Sequence, residues 1–260
     1  MKDDENSALN IMQNNFKDEL VKYATVPDEF DEYVGGMAET SALGKSGEFN
    51  KAQQHIINEI YDKIESAEVL PGILQQFIDS IGEIRWGIIK EHDIKDTKTI
   101  LMATREFSGY YADAIIRKIC NHGYREVELR VDDVYDNLAS YIDNKNDHMF
   151  RIDIFGHLGK MCGIYLKNVD VRLMGNTEDA FGANAENSRF IVKGNMGGRF
   201  ARTAKRSTFV IDGEISSYGS GLYARDSTFI SNSKEDFAII SKNSDKGCVI
   251  SFMEEAGVLK

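Results

Sequence analysis

Residues that could carry chemistry are thinly spread along this chain of 260 residues. Residues 44–46 read Gly-Lys-Ser, like the end of a phosphate-binding P-loop, but that motif also needs a preceding strand and a glycine where the chain has Glu39. The five histidines lack the spacing of a metal site, and the three cysteines lie too far apart for an iron–sulfur cluster or a C-x-x-C motif. We therefore expect no bound metal and no cofactor.

Two acidic residues on predicted strands, Asp153 and Asp212, are the candidates for acid–base chemistry on the outside of a β-structure. At the positions equivalent to Asp153 in the following repeats the chain has Arg172 and Ile191, so no groove of carboxylates is predicted. The G-x-S-x-G turn of a serine hydrolase is also missing. We assign no catalytic residue, an interpretation that leans against an enzyme.

The clearest candidate for a contact surface is a short basic stretch. It contains Arg199, Arg202, Lys205 and Arg206. A run of charge is ordinarily a solvated face. The sharper alternative is a contact for an anion or for an acidic partner surface, and the N-terminal part of the chain is itself acidic.

Charge is distributed unevenly along the chain. Residues 1–95 hold 19 acidic and 9 basic side chains, whereas residues 96–260 hold 23 and 22. This asymmetry favours two differently built parts. Nucleic acid is not expected as a partner of the acidic part, because neutralising phosphates requires clustered lysine and arginine.

A repeat of 19 residues, whose step later becomes 20, predicts the element that positions these side chains. Glycines follow its step at Gly156, Gly175, Gly194 and Gly213. Three apolar columns keep the same step: Ile154, Leu173, Val192 and Ile211; Ile152, Val171, Phe190 and Phe209; Cys162, Phe181 and Phe200. A fixed period of this length is typical of a solenoid, and the short alternating runs are typical of strands. The pattern predicts a β-helix in which glycines stand at corners with positive φ or close backbone approach.

The fold class predicted is α+β, a helical N-terminal region followed by a parallel β-helix of about five to six coils. A left-handed β-helix built on hexapeptides would carry an aliphatic residue at every sixth position. That pattern is absent, so a right-handed helix is favoured. The segments expected are an acidic helical region at 1–95, an α/β segment leading into the solenoid at 96–147, and the β-helix at 148–260.

The glycine repeat also carries a resemblance to a known family. Residues 156–163 spell G-x-x-G-x-x-x-G, which resembles the C-terminal β-helix domain of the glutamate synthase large subunit and is also similar to one of the subunits of formylmethanofuran dehydrogenase. Thr104-Arg105 followed by Phe107-Ser108-Gly109 resembles the segment that precedes the repeat in glutamate synthase. The repeat glycines that this resemblance covers are Gly156, Gly159, Gly163, Gly175, Gly182, Gly194, Gly197 and Gly213.

The resemblance implies a structural role, because in that family the β-helix holds the catalytic domains in place. We therefore expect a non-catalytic scaffold that docks partner proteins or self-associates. The alternative is an enzyme or a small-molecule-binding protein that uses an outer groove or the junction between helices and solenoid. The acidic start of the chain and the lack of a long apolar run predict a cytoplasmic protein with no membrane partner.

Overall fold

The computed structural model describes residues 2–25, 46–64, 71–95, 97–216, 218–245 and 247–253. The chain divides into two compact units, Met1–Lys118 and Ile119–Lys260. Helices dominate the first unit, and the second is a parallel β-solenoid of about five coils. The predicted α+β class with a β-helix is therefore confirmed.

The first unit is built from amphipathic helices. They are α1 (Lys2–Thr25), α2 (Ser46–Lys63), α3 (Pro71–Glu91) and α4 (Thr97–Asn121), the last of which continues into the second unit. Helix α1 packs along α3. Phe16, Phe77 and Tyr111 are buried with ring centroids 5.4–5.8 Å apart, which is the range of favourable aromatic pairs. Helix α4 is followed by Gly123 at a φ of 82°, as expected for a C′ glycine.

The solenoid has three sides. Its sheet side consists of parallel strands in chain order: β1 (Glu126–Arg130), β2 (Phe150–Phe155), β3 (Val169–Met174), β4 (Arg189–Lys193), β5 (Thr208–Asp212), β6 (Thr228–Ser231) and β7 (Val249–Phe252). The second side is a ladder of single bridges through Tyr135, Leu158, Thr177, Met196 and Ile215. The third side is a ladder through Asp143, Lys167, Glu186, Lys205 and Arg225.

The apolar columns predicted from the period face the interior. Phe190 pairs with Phe209 in the strand register, and Phe209 stacks in turn on Phe229, with ring centroids 4.9 and 5.1 Å apart. Phe181 and Phe200 form a parallel column that meets the first edge-on, as in the 5.2 Å contact of Phe200 with Phe209. All five rings are buried. The side chains that stack from coil to coil therefore form one aromatic core.

The glycine column at the end of the strands allows successive coils to approach closely. A Cβ added to Gly175 would lie 1.9 Å from the carbonyl oxygen of Gly156, and one added to Gly194 would lie 2.2 Å from the carbonyl oxygen of Gly175. Both distances are far below van der Waals contact, so no side chain fits. In the column of Gly163 and Gly182, which have φ near 65°, Ala201 takes the same left-handed conformation at 51°.

The parallel ladder reaches further toward the N-terminus than residue 148. Strand β1 pairs with β2 in the register Glu126 to Arg151, a longer step than the one between later coils, and Val131 stands next to Gly156 where later coils have glycine. The first coil therefore carries neither the period nor the glycine that mark the repeat. Parallel strand pairing is the same in a left-handed and in a right-handed solenoid, so the right-handed sense stays a prediction.

The last coil replaces its second side by a helix. Helix α5 (Lys234–Asn243) follows β6 directly, and the Ser233 hydroxyl caps its N-terminus by accepting from the Asp236 N–H. Ile240 of α5 is buried and stands over Gly221, where an added Cβ would approach it to 3.2 Å.

Candidate functional site

The four predicted contact residues do not form one set of free cations. Arg199 donates to Asp179 of the preceding coil, with Nε 2.7 Å from Oδ2, and Arg206 forms an ion pair with Glu186. Arg202 and Lys205 are exposed, and in the described part of the chain neither forms an ion pair. Arg199 and Arg206 therefore link neighbouring coils, whereas Lys205 lines a cavity.

That cavity is a groove on the third side with a volume of about 470 Å³. This is within the size range of small-ligand sites. It is lined by Tyr165, Lys167, Asn184, Ala185, Glu186, Thr203, Lys205, Tyr223 and Arg225. The lining comes from four successive coils, so the groove runs along the solenoid rather than around it.

Along each coil of this ladder, side chains alternate between the outer face and the interior. Two columns of outward side chains therefore build the groove, with an inward column between them. The tyrosine column contains Tyr141, Tyr165, Asn184, Thr203 and Tyr223. The charged column contains Asp143, Lys167, Glu186, Lys205, Arg225 and Asp245. The intervening Leu166, Ala185 and Ala204 are buried in the core.

The groove exists because the tyrosine column is interrupted. Tyr141 and Tyr165 stack with centroids 5.1 Å apart and planes 7° from parallel. The next two positions hold the shorter Asn184 and Thr203, and a tyrosine returns at Tyr223, whose surface is 51% exposed. With coils ~4.8 Å apart, three steps separate Tyr165 from Tyr223 by ~14 Å.

Hydrogen-bond donors dominate the lining. The Thr203 hydroxyl lies within hydrogen-bond distance of both the Asn184 side-chain oxygen and the Arg202 carbonyl, and it can donate its single proton to only one of them. Burial raises the pKa of the Tyr165 hydroxyl. Glu186, the one carboxylate among the described residues of the lining, lies 4.0 Å from Lys167 and is also paired with Arg206. The groove is therefore suited to a ligand rich in acceptors.

The charged column alternates in sign except at one step. Asp143 is followed by Lys167, Glu186 and Lys205, and Arg225 is followed by Asp245 at 3.0 Å. Lys205 and Arg225 are direct neighbours in the ladder. This is the one pair of like charges among the described neighbours in the column, and both members line the cavity.

The acidic candidates on the sheet side are engaged in ion pairs or hydrogen bonds. Asp153 lies 3.1 Å from Arg151 and 3.9 Å from Arg172, and Arg172 lies 3.3 Å from Asp170. Asp212 accepts a hydrogen bond from Asn232 at 2.7 Å. Asp153 and Asp212 stand on β2 and β5, three strands apart, so the structure does not bring them together.

The remaining sequence candidates form no common site. His157 accepts a hydrogen bond from the Asn176 N–H through Nδ1, at 3.0 Å. One coil later the Asn176 side-chain oxygen accepts in the same way from the Asn195 N–H. Within the described ranges, no group of three or more histidine, cysteine or acidic residues could hold a metal ion. Gly44 and Lys45 lie outside the described residues.

Sequence reasoning missed most of the groove. Tyr165 and Tyr223 belong to a column that is interrupted by the polar Asn184 and Thr203, so no apolar period marks it. The signal available was the charge alternation at the same step, through Lys167, Glu186 and Lys205.

No protein-family model, curated protein or solved structure matches this chain. None of the described helices combines the length and the apolarity required to cross a membrane.

Proposed function

We propose that this chain is a non-catalytic docking scaffold whose groove on the third side binds an acidic segment of a partner protein. The observation that carries the proposal is the composition of the groove. Lys167, Lys205 and Arg225 face a cavity in which Glu186, the single carboxylate among the described lining residues, is shared by Lys167 and Arg206. Such a surface attracts an acidic segment and selects against a basic one.

The scaffold role is supported by the way in which the groove is held. The backbone of its floor is bonded on both sides: the Lys205 N–H donates to the Ala185 carbonyl, and the Thr203 N–H donates to the Leu222 carbonyl, both at 2.8 Å. A site fixed by its neighbours loses little conformational entropy on binding. The resemblance to the glutamate synthase β-helix domain implies a structural role of the same kind.

Titration of a labelled glutamate polymer tests the proposal, with fluorescence anisotropy as the measurement. We expect binding that weakens steeply with salt, because the contact is made by exposed charges. The groove-filling variant is Thr203→Tyr. Tyrosine is compatible with this backbone, because Tyr141, Tyr165 and Tyr223 adopt the same left-handed conformation as Thr203.

Thr203→Tyr should abolish binding of the glutamate polymer while leaving the circular dichroism spectrum unchanged. The matched control is Thr228→Tyr on the sheet side, which should bind as the wild type does. Equal binding by both variants would contradict the proposal. Light scattering of the same proteins tests a second copy as the partner, since a dimer that Thr203→Tyr dissociates would identify the acidic region of another copy as the occupant.

A further inference from the structure

The step from Lys205 to Arg225 is an unusual feature of the groove. Like charges that face each other across neighbouring strands are destabilising, and the rest of the charged column avoids this arrangement. Glu186 cannot neutralise Lys205 fully, because it is already shared by Arg206 and Lys167. Asp245 contacts Arg225 through Nε, which leaves the two terminal guanidinium nitrogens as further donors.

We propose that Lys205 and Arg225 together form an anion-binding site, which recognises a phosphate or carboxylate carried next to a ring. This inference rests on the proposed docking function, since it names the group of the partner that anchors in the groove. An anion between the two side chains restores the alternation of charge along the column. It also receives charge-assisted hydrogen bonds from both cations, which are the stronger class of such bonds.

The ring requirement follows from the surroundings of this site. Tyr223 is half exposed and stands on the same side of the solenoid as Arg225, so its ring and the guanidinium lie on the same outward face. A bare anion would occupy only a small part of this open groove of about 470 Å³ and would leave the rest to solvent. A ring can occupy the space above Asn184 and Thr203, where the tyrosine column is interrupted.

Phenyl phosphate is the probe that combines the two features, and isothermal titration calorimetry measures it directly. We expect wild-type protein to bind phenyl phosphate more tightly than inorganic phosphate, which lacks the ring. Benzoate in a parallel titration distinguishes a carboxylate source from a phosphate source. Lys205→Gln should weaken binding by roughly tenfold or more, the value of one lost hydrogen bond to a charged group. Lys193→Gln, which removes an exposed lysine on the sheet side, is the control and should bind unchanged.

Thermal unfolding without ligand supplies a readout that a purely structural lysine would not give. Lys205→Gln removes a repulsion, so its melting temperature should equal or exceed that of the wild type. A lower melting temperature would mean that Lys205 stabilises the fold, and this would overturn the inference.

The titrations have two further outcomes that would overturn the inference. One is that neither phenyl phosphate nor benzoate binds the wild type, and the other is that both bind Lys205→Gln equally well. If the glutamate polymer still binds in either case, the docking function stands, and groups other than Lys205 and Arg225 anchor the partner. Binding of phenyl phosphate without binding of the polymer would instead support the anion site and contradict the docking function.

Discussion

Asp236 accepts a hydrogen bond from the backbone N–H of Ile215 at 3.1 Å, through Oδ1. Ile215 is the last residue of the second-side ladder, and no further coil offers it a carbonyl among the described residues. The other oxygen of Asp236 accepts from the Ser231 hydroxyl at 2.9 Å. A side chain of α5 therefore takes the place of the missing strand, which is one way in which a solenoid protects an exposed edge.

Replacing Asp236 by alanine should destabilise the solenoid by about 1–3 kcal/mol, the cost of leaving a buried donor unsatisfied. Asp236 and Ile215 are both buried, so water does not replace the lost acceptor without local opening. Chemical denaturation followed by circular dichroism measures the change. Glu235→Ala, on the exposed face of the same helix turn, is the control, and an equal loss in both variants would contradict the capping role.

The same contact predicts a pH dependence. Burial raises the pKa of Asp236 above its ordinary value, against the opposing effect of its hydrogen bonds to Ile215 and Ser231. The folded protein therefore holds this proton more tightly than the unfolded chain does. The resulting stability is complete below the unfolded pKa, near ~3.9, and is lost as the pH rises through the folded pKa.

Comparison of the wild type with Asp236→Asn isolates this effect, because asparagine keeps an oxygen for the Ile215 N–H. We expect the stability difference between the two proteins to shift in favour of the wild type as the pH is lowered from neutral towards the unfolded pKa. A difference that does not vary with pH would show that Asp236 has the same pKa in both states.

Phe200→Ala should cost about 3–5 kcal/mol, as truncation of a buried phenylalanine does. The ring is fully buried and lies 5.2 Å from Phe209 and 6.5 Å from Phe181, so its removal leaves a cavity in the aromatic core. Tyr218→Ala is the control, because Tyr218 is 74% exposed, and it should change stability by less than about 0.5 kcal/mol. Similar losses in the two variants, measured by denaturation, would contradict the assignment of Phe200 to the core.

Gly175→Ala should destabilise the solenoid by more than about 3 kcal/mol, beyond the usual range of overpacking. The added Cβ would lie 1.9 Å from the Gly156 carbonyl oxygen, and backbone atoms cannot move aside without separating the coils. Gly87→Ala is the control, because Gly87 lies in α3 with no atom within 4 Å of the added Cβ. It should stabilise the helical unit by about 1 kcal/mol. Thermal unfolding compares the two, and a mild effect at Gly175 would contradict the close stacking.

The parts of the fold that were predictable are those that repeat. Phe190 and Phe209 stand one repeat apart because each coil presents the same inward position to the core, and this is visible in the sequence. The first coil was not visible, because its step from Glu126 to Arg151 is longer than the repeat and Val131 replaces the glycine. A single irregular coil has no period of its own.

The site was less predictable, because it depends on what each charged side chain meets in the next coil. Arg199 and Arg206 look equivalent to Lys205 in the sequence, yet they pair with Asp179 and Glu186. These partners belong to the preceding coil, so the pairing depends on the register between coils. The tyrosines at the ends of the groove gave no signal, since only their position relative to Thr203 makes them part of a cavity.

Photo-crosslinking in the native host tests the central claim, partner docking in the groove, most directly. Benzoylphenylalanine replaces Tyr223 at the end of the groove, and Tyr218, which does not line it, serves as the control position. The account predicts crosslinking from position 223 to one defined protein, through a peptide rich in aspartate and glutamate, and loss of this product in Thr203→Tyr. Equal crosslinking from both positions, or a product that survives filling of the groove, would contradict it.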